Sequence, residues 1–368
     1  MSEPFGVYVH VPFCAHRCDY CAFATYTDRD HLMVRYVDAC IAEIDGARRQ
    51  GALPPATSVF FGGGTPSRLA ADELVRLLAA IPVAPGAEVT VECNPEDAEV
   101  DRLRAYRDAG VTRMSFGIQS TRPHVLDSLG RRNVPDAVTR VADVVGQVGF
   151  ASWNLDLIFG AADETDEDWA CALDTVVGLD GAPPHISAYA LTVEPGTPLG
   201  ADASRHPDDD VQARRYEMTE ERLSGAGYRW EEISNWARPG HRCAHNHLYW
   251  SGGSYLGIGS AAHSHRKGHR WWNVRTPDRY IALVEDGRGT LAGEERLDAD
   301  ARRFESLSLA LRTDAGVPAE HLPVTEDLVG LVETKGARSV LTLRGRLLAN
   351  EVSTRLVTHP GPAPRPLR

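Results

Sequence analysis

Six short apolar runs recur through the first two-thirds of this 368-residue chain, at 7–11, 58–61, 89–93, 114–118, 155–159 and 186–191. Helix-spaced apolar residues lie between them. Met33, Tyr36, Val37, Cys40, Ile41 and Ile44 fall on one helical face, as do Leu74, Leu77, Leu78 and Ile81, and Val134, Val138, Val141, Val145 and Val148. Within 89–93, Val89, Val91 and Cys93 share one strand face, and Thr90 and Glu92 the other. Strand-then-helix units repeated in this way dictate parallel strands joined by right-handed crossovers. A doubly wound sheet and a β/α barrel both satisfy the pattern, and six units are too few for a closed eight-stranded barrel. Both architectures gather their chemistry where strands end and the following loops begin.

The loop after the first run reads His10-Val-Pro-Phe-Cys14-Ala-His-Arg-Cys18-Asp-Tyr-Cys21, a C-x3-C-x2-C spacing. Seven cysteines in a chain of this length are not a disulfide framework, so clustering of three needs another reason. Soft thiolates suit an iron–sulfur cluster or zinc. Three of them leave one iron of a [4Fe–4S] cluster open to a ligand. Zinc with His10 or His16 as fourth ligand is the alternative, although zinc spacings more often come as two C-x2-C pairs. Cys40, Cys93 and Cys171 read as core residues.

Phe60-Phe-Gly62-Gly63-Gly64-Thr65-Pro66 follows the second run, where glycines either make a tight turn or let the backbone approach a ligand. Glu92, Gln119 and Asp156 are polar residues near the ends of three later apolar runs. Burying one without a partner is costly, and three in register with two special loops favour a shared ligand. Acidic residues outnumber basic ones, 51 to 39, which argues against nucleic acid as the main partner. The opening residues carry no basic segment followed by an apolar run, and no stretch reaches the ~18 apolar residues of a membrane span. A cytoplasmic protein without a transmembrane segment is expected.

The cysteine spacing, with Tyr20 before the last Cys, resembles the signature of radical S-adenosylmethionine (SAM) enzymes. Over nearly the whole chain the sequence is similar to the oxygen-independent coproporphyrinogen III oxidase branch of that superfamily. The resemblance implies an α/β fold, a partial (β/α)6 radical SAM barrel followed by a smaller C-terminal, mainly helical, winged-helix-like domain. It implies a [4Fe–4S] cluster on Cys14, Cys18 and Cys21, and SAM held by Tyr8, Tyr20, Gly63, Gly64, Thr65, Glu92, Gln119, Arg131, Asp156 and Ala190. Tyr8 and His10 share a strand face and are expected to point into that site. One departure stands out: the family's Gly-Leu-Pro after the fifth strand is replaced by Gly160-Ala-Ala-Asp-Glu-Thr165.

The branch contains true oxidases and HemW-type haem chaperones. The oxidases carry a fourth Cys two residues after the third, where this chain has Phe23, and a long extension before the motif, where this chain has 13 residues. Cys243-Ala-His245-Asn-His247-Leu-Tyr249-Trp250 contains H-N-x-x-Y-W, similar to the sequence that marks the chaperones. The resemblance therefore implies haem binding through His245, with His247, His263, His265 and Cys243 as alternative ligands. It also implies delivery of haem to apo-haemoproteins such as membrane respiratory enzymes, and by the same analogy a homodimer and a peripheral place at the membrane are expected. The expected division is a radical SAM core over 1–230, a His/Trp-rich segment over 231–290, and a C-terminal domain over 291–368 with a frayed Pro-rich tail. Radical decarboxylation of coproporphyrinogen III is the alternative function.

Overall fold

The computed structural model describes residues 3–132, 134, 136–322 and 325–356. The Pro-rich tail lies outside the described residues. Six strands form the centre: β1 (Phe5–Val11), β2 (Ala56–Gly63), β3 (Val83–Cys93), β4 (Arg113–Gln119), β5 (Ser152–Phe159) and β6 (His185–Ala190). Each pairs in parallel with the next in chain order. Helices Met33–Arg49, Ala71–Ala80, Val100–Asp108, Ala137–Val148 and Asp166–Val177 fill the crossovers. Strict sequential order, with no reversal, is the winding of a partial (β/α)6 barrel and excludes the doubly wound alternative.

The pleat sorts the side chains. Val89, Val91, Met114, Phe116, Trp153, Leu155, Leu157, Ile186 and Ala188 occupy one face and are buried in the main hydrophobic cluster with the crossover helices. The opposite face of the same strands carries Thr90, Glu92, Arg113, Ser115, Asn154, Asp156, His185 and Ser187. The register stacks them in rows, Glu92 beside Ser115 and Gly117 beside Asp156 and Ser187. An apolar outer face and a polar inner face leave these strands a concave surface equipped for a polar ligand.

The barrel does not close. β7 (Arg229–Glu232) and β8 (Asn235–Ala237) extend it antiparallel beyond β6. At the other edge β9 (Ser254–Ile258) runs parallel to β1, followed by β10 (His263–Arg266), β11 (His269–Asn273) and β12 (Leu291–Arg296). The division read from the sequence therefore does not follow the strand pairing. The His/Trp-rich segment belongs to the same twelve-stranded sheet, because β1 has a free edge that β9 fills. The C-terminal unit begins after β12, at the helix Ala299–Leu311 capped by the Asp298 side chain. It adds the antiparallel β13 (Val317–Pro318), β14 (Val332–Lys335) and β15 (Arg338–Leu341), two short helices and its own apolar cluster.

Candidate functional site

The loop leaving β1 carries Cys14, Cys18 and Cys21, all free and half-buried. Backbone bonds fix it in place: Cys14 N donates to Tyr26 O (3.1 Å), Tyr26 N to Pro12 O (2.8 Å), and Cys21 N to Cys18 O (3.2 Å). The Thr65 hydroxyl donates to Cys14 Sγ and the Arg131 guanidinium to Cys18 Sγ, each at 3.6 Å. Burial pushes the Cys14 and Cys21 thiols up, so metal loading must displace their protons. The three thiols line a cavity of about 460 Å³ at the carboxyl ends of the strands.

Tyr20, Gly63, Gly64, Thr65, Glu92, Gln119, Arg131, Asp156 and Ala190 line the same cavity. Gly63 has φ 109°, and a Cβ there would overlap the His10 ring, so this stretch makes a close backbone approach. The Gly63 amide donates to Glu92 Oε2 at 3.1 Å. Burial, and then the charge of Asp156, push Glu92 up to about 8, against partial relief from Arg113. Burial also raises Asp156, which accepts from Asn154 Nδ2 (2.8 Å) and the Ser115 hydroxyl (3.3 Å). Two adjacent buried carboxylates call for a cationic ligand. Gln119 sits at φ 68°, in the left-handed region, and its Oε1 is buried without a partner. These features, with three clustered thiols, fit a cluster and a zwitterionic, cationic ligand such as SAM. Arg131 donates to Gly117 O (2.5 Å) and Asn94 Oδ1 (3.4 Å), so it does not depend on Asp156 for a partner.

Tyr8, His10 and His245, all expected at a ligand site, do not line the cavity. Tyr8 does share a face with His10, yet its hydroxyl lies 3.1 Å from His10 Nδ1 and its ring stacks on Phe60. His10 Nε2 lies 3.0 Å from Ala24 O, so both His10 nitrogens are engaged and neither is offered to a zinc ion. His245 is at the opposite end of the barrel, in the helix Ala244–Trp250 that packs under β1 and β2. It is 1% exposed, stacks on Phe60, and has Nδ1 2.9 Å from Ser58 Oγ and Nε2 2.8 Å from Tyr249 Oη. Burial lowers its pKa to about 3. In this structure His245 presents neither nitrogen to a haem iron; it plugs the base of the barrel, where Glu88 accepts from the Ala244 and His245 amides. Cys243 is buried, His265 bonds Gly253 O and the Gly268 amide, and His263 stacks on Trp272.

Apart from His247, the sequence did not single out the groups beneath the cavity. Arg113, 2% exposed, donates to His185 Nδ1 (3.0 Å), which also lies 2.6 Å from Asn154 Oδ1. His185 and His247 flank Glu231 Oε2 at 3.5 and 3.6 Å. Burial pushes Glu231 up, but the two imidazoles outweigh it and hold it at about 2. A lone arginine opening an apolar strand, RMSFGIQ, was the available signal. Asn94, beside Glu92, links Thr65 and Arg131 across the cavity. The altered loop after β5 makes a capping box in which Thr165 and Asp168 exchange bonds. Cys171, read as core, is exposed on that helix: it faces away from the sheet, whereas Trp169, Ala172 and Leu173 face inward.

Sheet, cysteine loop and cavity together define a radical SAM protein, and the Radical SAM superfamily model matches residues 8–176. The chain is 42% identical to the heme chaperone HemW of Mycobacterium tuberculosis, over 95% of this chain and 94% of the relative. It is 37% identical to HemW of Escherichia coli, over 71% and 70%. A mouse mitochondrial protein, radical S-adenosyl methionine domain-containing protein 1, is 34% identical over 91% and 79%. The fold superposes on the radical SAM coproporphyrinogen III oxidase HemN of E. coli with a TM-score of 0.82, covering 96% and 89% of the chains at 23% identity. At that identity the likeness speaks for the fold alone. The chain belongs to the HemW family of the radical SAM superfamily, whose cofactors are a [4Fe–4S] cluster and SAM.

Proposed function

We propose that the chain binds haem and delivers it to apo-haemoproteins. The observation that carries this reading is likeness along nearly the full chain to proteins named heme chaperones. Cys14, Cys18 and Cys21 would hold the cluster, leaving one iron for SAM. When bound, the cluster supplies a low-potential electron and SAM a reducible sulfonium. The chain's own groups would do the rest. Asp156, and Glu92 once the ligand's positive charge draws off its proton, would hold that charge, the Gly63–Gly64 backbone would admit it closely, and Gln119 Oε1 would accept a hydrogen bond. Arg131 and Thr65 orient the sulfurs of Cys18 and Cys14.

Phe23 supports a chaperone over an oxidase, because the oxidases of the branch have a cysteine there and this side chain supplies no ligand atom. Recipients among membrane respiratory enzymes, a cytoplasmic location with peripheral membrane contact, and a homodimer belong to the same proposal. Among the described residues no helix is long and apolar enough to cross a membrane. The test uses anaerobically purified, cluster-loaded protein. Haem is titrated in by Soret difference spectra, the complex is mixed with an apo-haemoprotein, and a parallel sample receives SAM, reductant and coproporphyrinogen III. Saturable haem binding followed by transfer is expected. No binding, or vinyl product over many turnovers, would overturn the reading.

A further inference from the structure

We infer that haem docks flat against Phe23 at the mouth of the SAM cavity, with its propionates directed to Arg17. This rests on the haem-binding function proposed above and adds where the ligand lies. Phe23 is 66% exposed, although it belongs to the loop that carries the cysteines and lines the cavity they form. A single exposed apolar side chain is ordinary, whereas several bordering one pocket mark a contact surface. The ring is held there by backbone structure: Thr25 N donates to Phe23 O at 2.8 Å, in a turn that follows Cys21 directly. Tyr189, 39% exposed at the end of β6, and Leu191 line the same cavity, so aromatic and aliphatic surface borders it on more than one side.

Charge complements shape. Arg17 lines the cavity and is exposed; its guanidinium bonds the Cys21 carbonyl at 3.1 and 3.3 Å, and among the described residues it forms no ion pair. A wide, flat, apolar molecule with carboxylates on one edge matches this arrangement, its faces against Phe23 and Tyr189 and its carboxylates on the unpaired cation. Haem has that shape and charge. SAM is smaller and cationic, and is served by the carboxylates deeper in the same cavity.

The test compares wild type, Phe23→Asp, Phe23→Trp and Arg17→Glu, each anaerobically purified with its cluster and titrated with haem by Soret difference spectra. Phe23→Asp and Arg17→Glu are expected to raise Kd about tenfold or more, and Phe23→Trp to stay within about threefold. Iron content and thermal midpoint are measured on every variant; an exposed side chain leaves little folding penalty. If Phe23→Asp loses iron, Phe23→Ser with full iron content takes its place. Phe23 variants within about twofold of a wild type that binds haem would overturn the inference while sparing the chaperone reading. A wild type that binds no haem overturns both.

Discussion

Glu92→Gln separates what the cavity does for the fold from what it does for a ligand. Glu92 has an ordinary value of 4.5 and is raised to about 8 by burial and by Asp156. The folded chain therefore holds a proton that the unfolded chain has released across the window from about 4.5 to about 8, and stability must fall as pH rises through it. At ~1.4 kcal/mol per pH unit, that span amounts to on the order of 4 kcal/mol by pH 8, and it flattens above. Gln keeps an oxygen for the Gly63 amide and removes the charge. Cluster-free Glu92→Gln is expected to match wild type near pH 5 and to exceed it by a few kcal/mol near pH 8.5. Part of the slope remains in both proteins, because burial raises Asp156 as well. Urea unfolding at pH 5, 7 and 8.5, read by circular dichroism, gives the comparison. The same variant is expected to bind SAM more weakly by equilibrium dialysis at pH 8.5, where wild-type Glu92 has lost its proton and supplies an anion. Parallel stability profiles for the two proteins would refute the claim that burial and Asp156 raise this carboxyl.

Two further outcomes follow from the floor and base of the barrel. Arg113→Met leaves Glu92 and Asp156 without their buried countercharge and strands His185; a loss of about 3–5 kcal/mol in urea unfolding is expected, and a loss below ~1 kcal/mol would contradict the network. His245 is held down to about 3 by burial, so the unfolded chain binds a proton the folded chain refuses, and stability falls as pH drops below ~6.5. His245→Gln, which can still reach Ser58 and Tyr249, is expected to flatten that acid limb by up to about one proton; an unchanged limb would show that His245 is not buried neutral.

The barrel was legible because each strand alternates cleanly and each crossover helix has its own apolar stripe; Val89–Val91–Cys93 and Val138–Val141–Val145 are examples. The cysteine loop and the glycine loop were legible because their chemistry is local. What stayed hidden depends on pairing between distant segments. Arg113 and His185 lie on different strands and meet only through the register of β4, β5 and β6, and no spacing in the sequence announces it. The placement of β9 beside β1 is hidden in the same way, since a free strand edge is a property of the assembled sheet. Cys171 misled because its helix has apolar neighbours on both sides, and one residue of rotation decides whether a side chain meets the sheet or water. The motif implies haem binding at His245, and the sequence does not show that its two ring nitrogens meet Ser58, from a strand far away in sequence, and Tyr249, one helical turn on.

Glu231 joins three parts of the chain. Its carboxylate lies between His185 of β6 and His247 of the base helix, and its carbonyl accepts from the Asp314 amide beside the C-terminal helix, where Arg242 also pairs with Asp314. The consequence concerns how such chains diverge. A substitution at Glu231 alone removes the carboxylate that His185, His247 and Arg242 share, so its cost falls on β6 and the base helix together. Residues 185, 231 and 247 therefore stand or fall as one set across more than sixty positions of sequence.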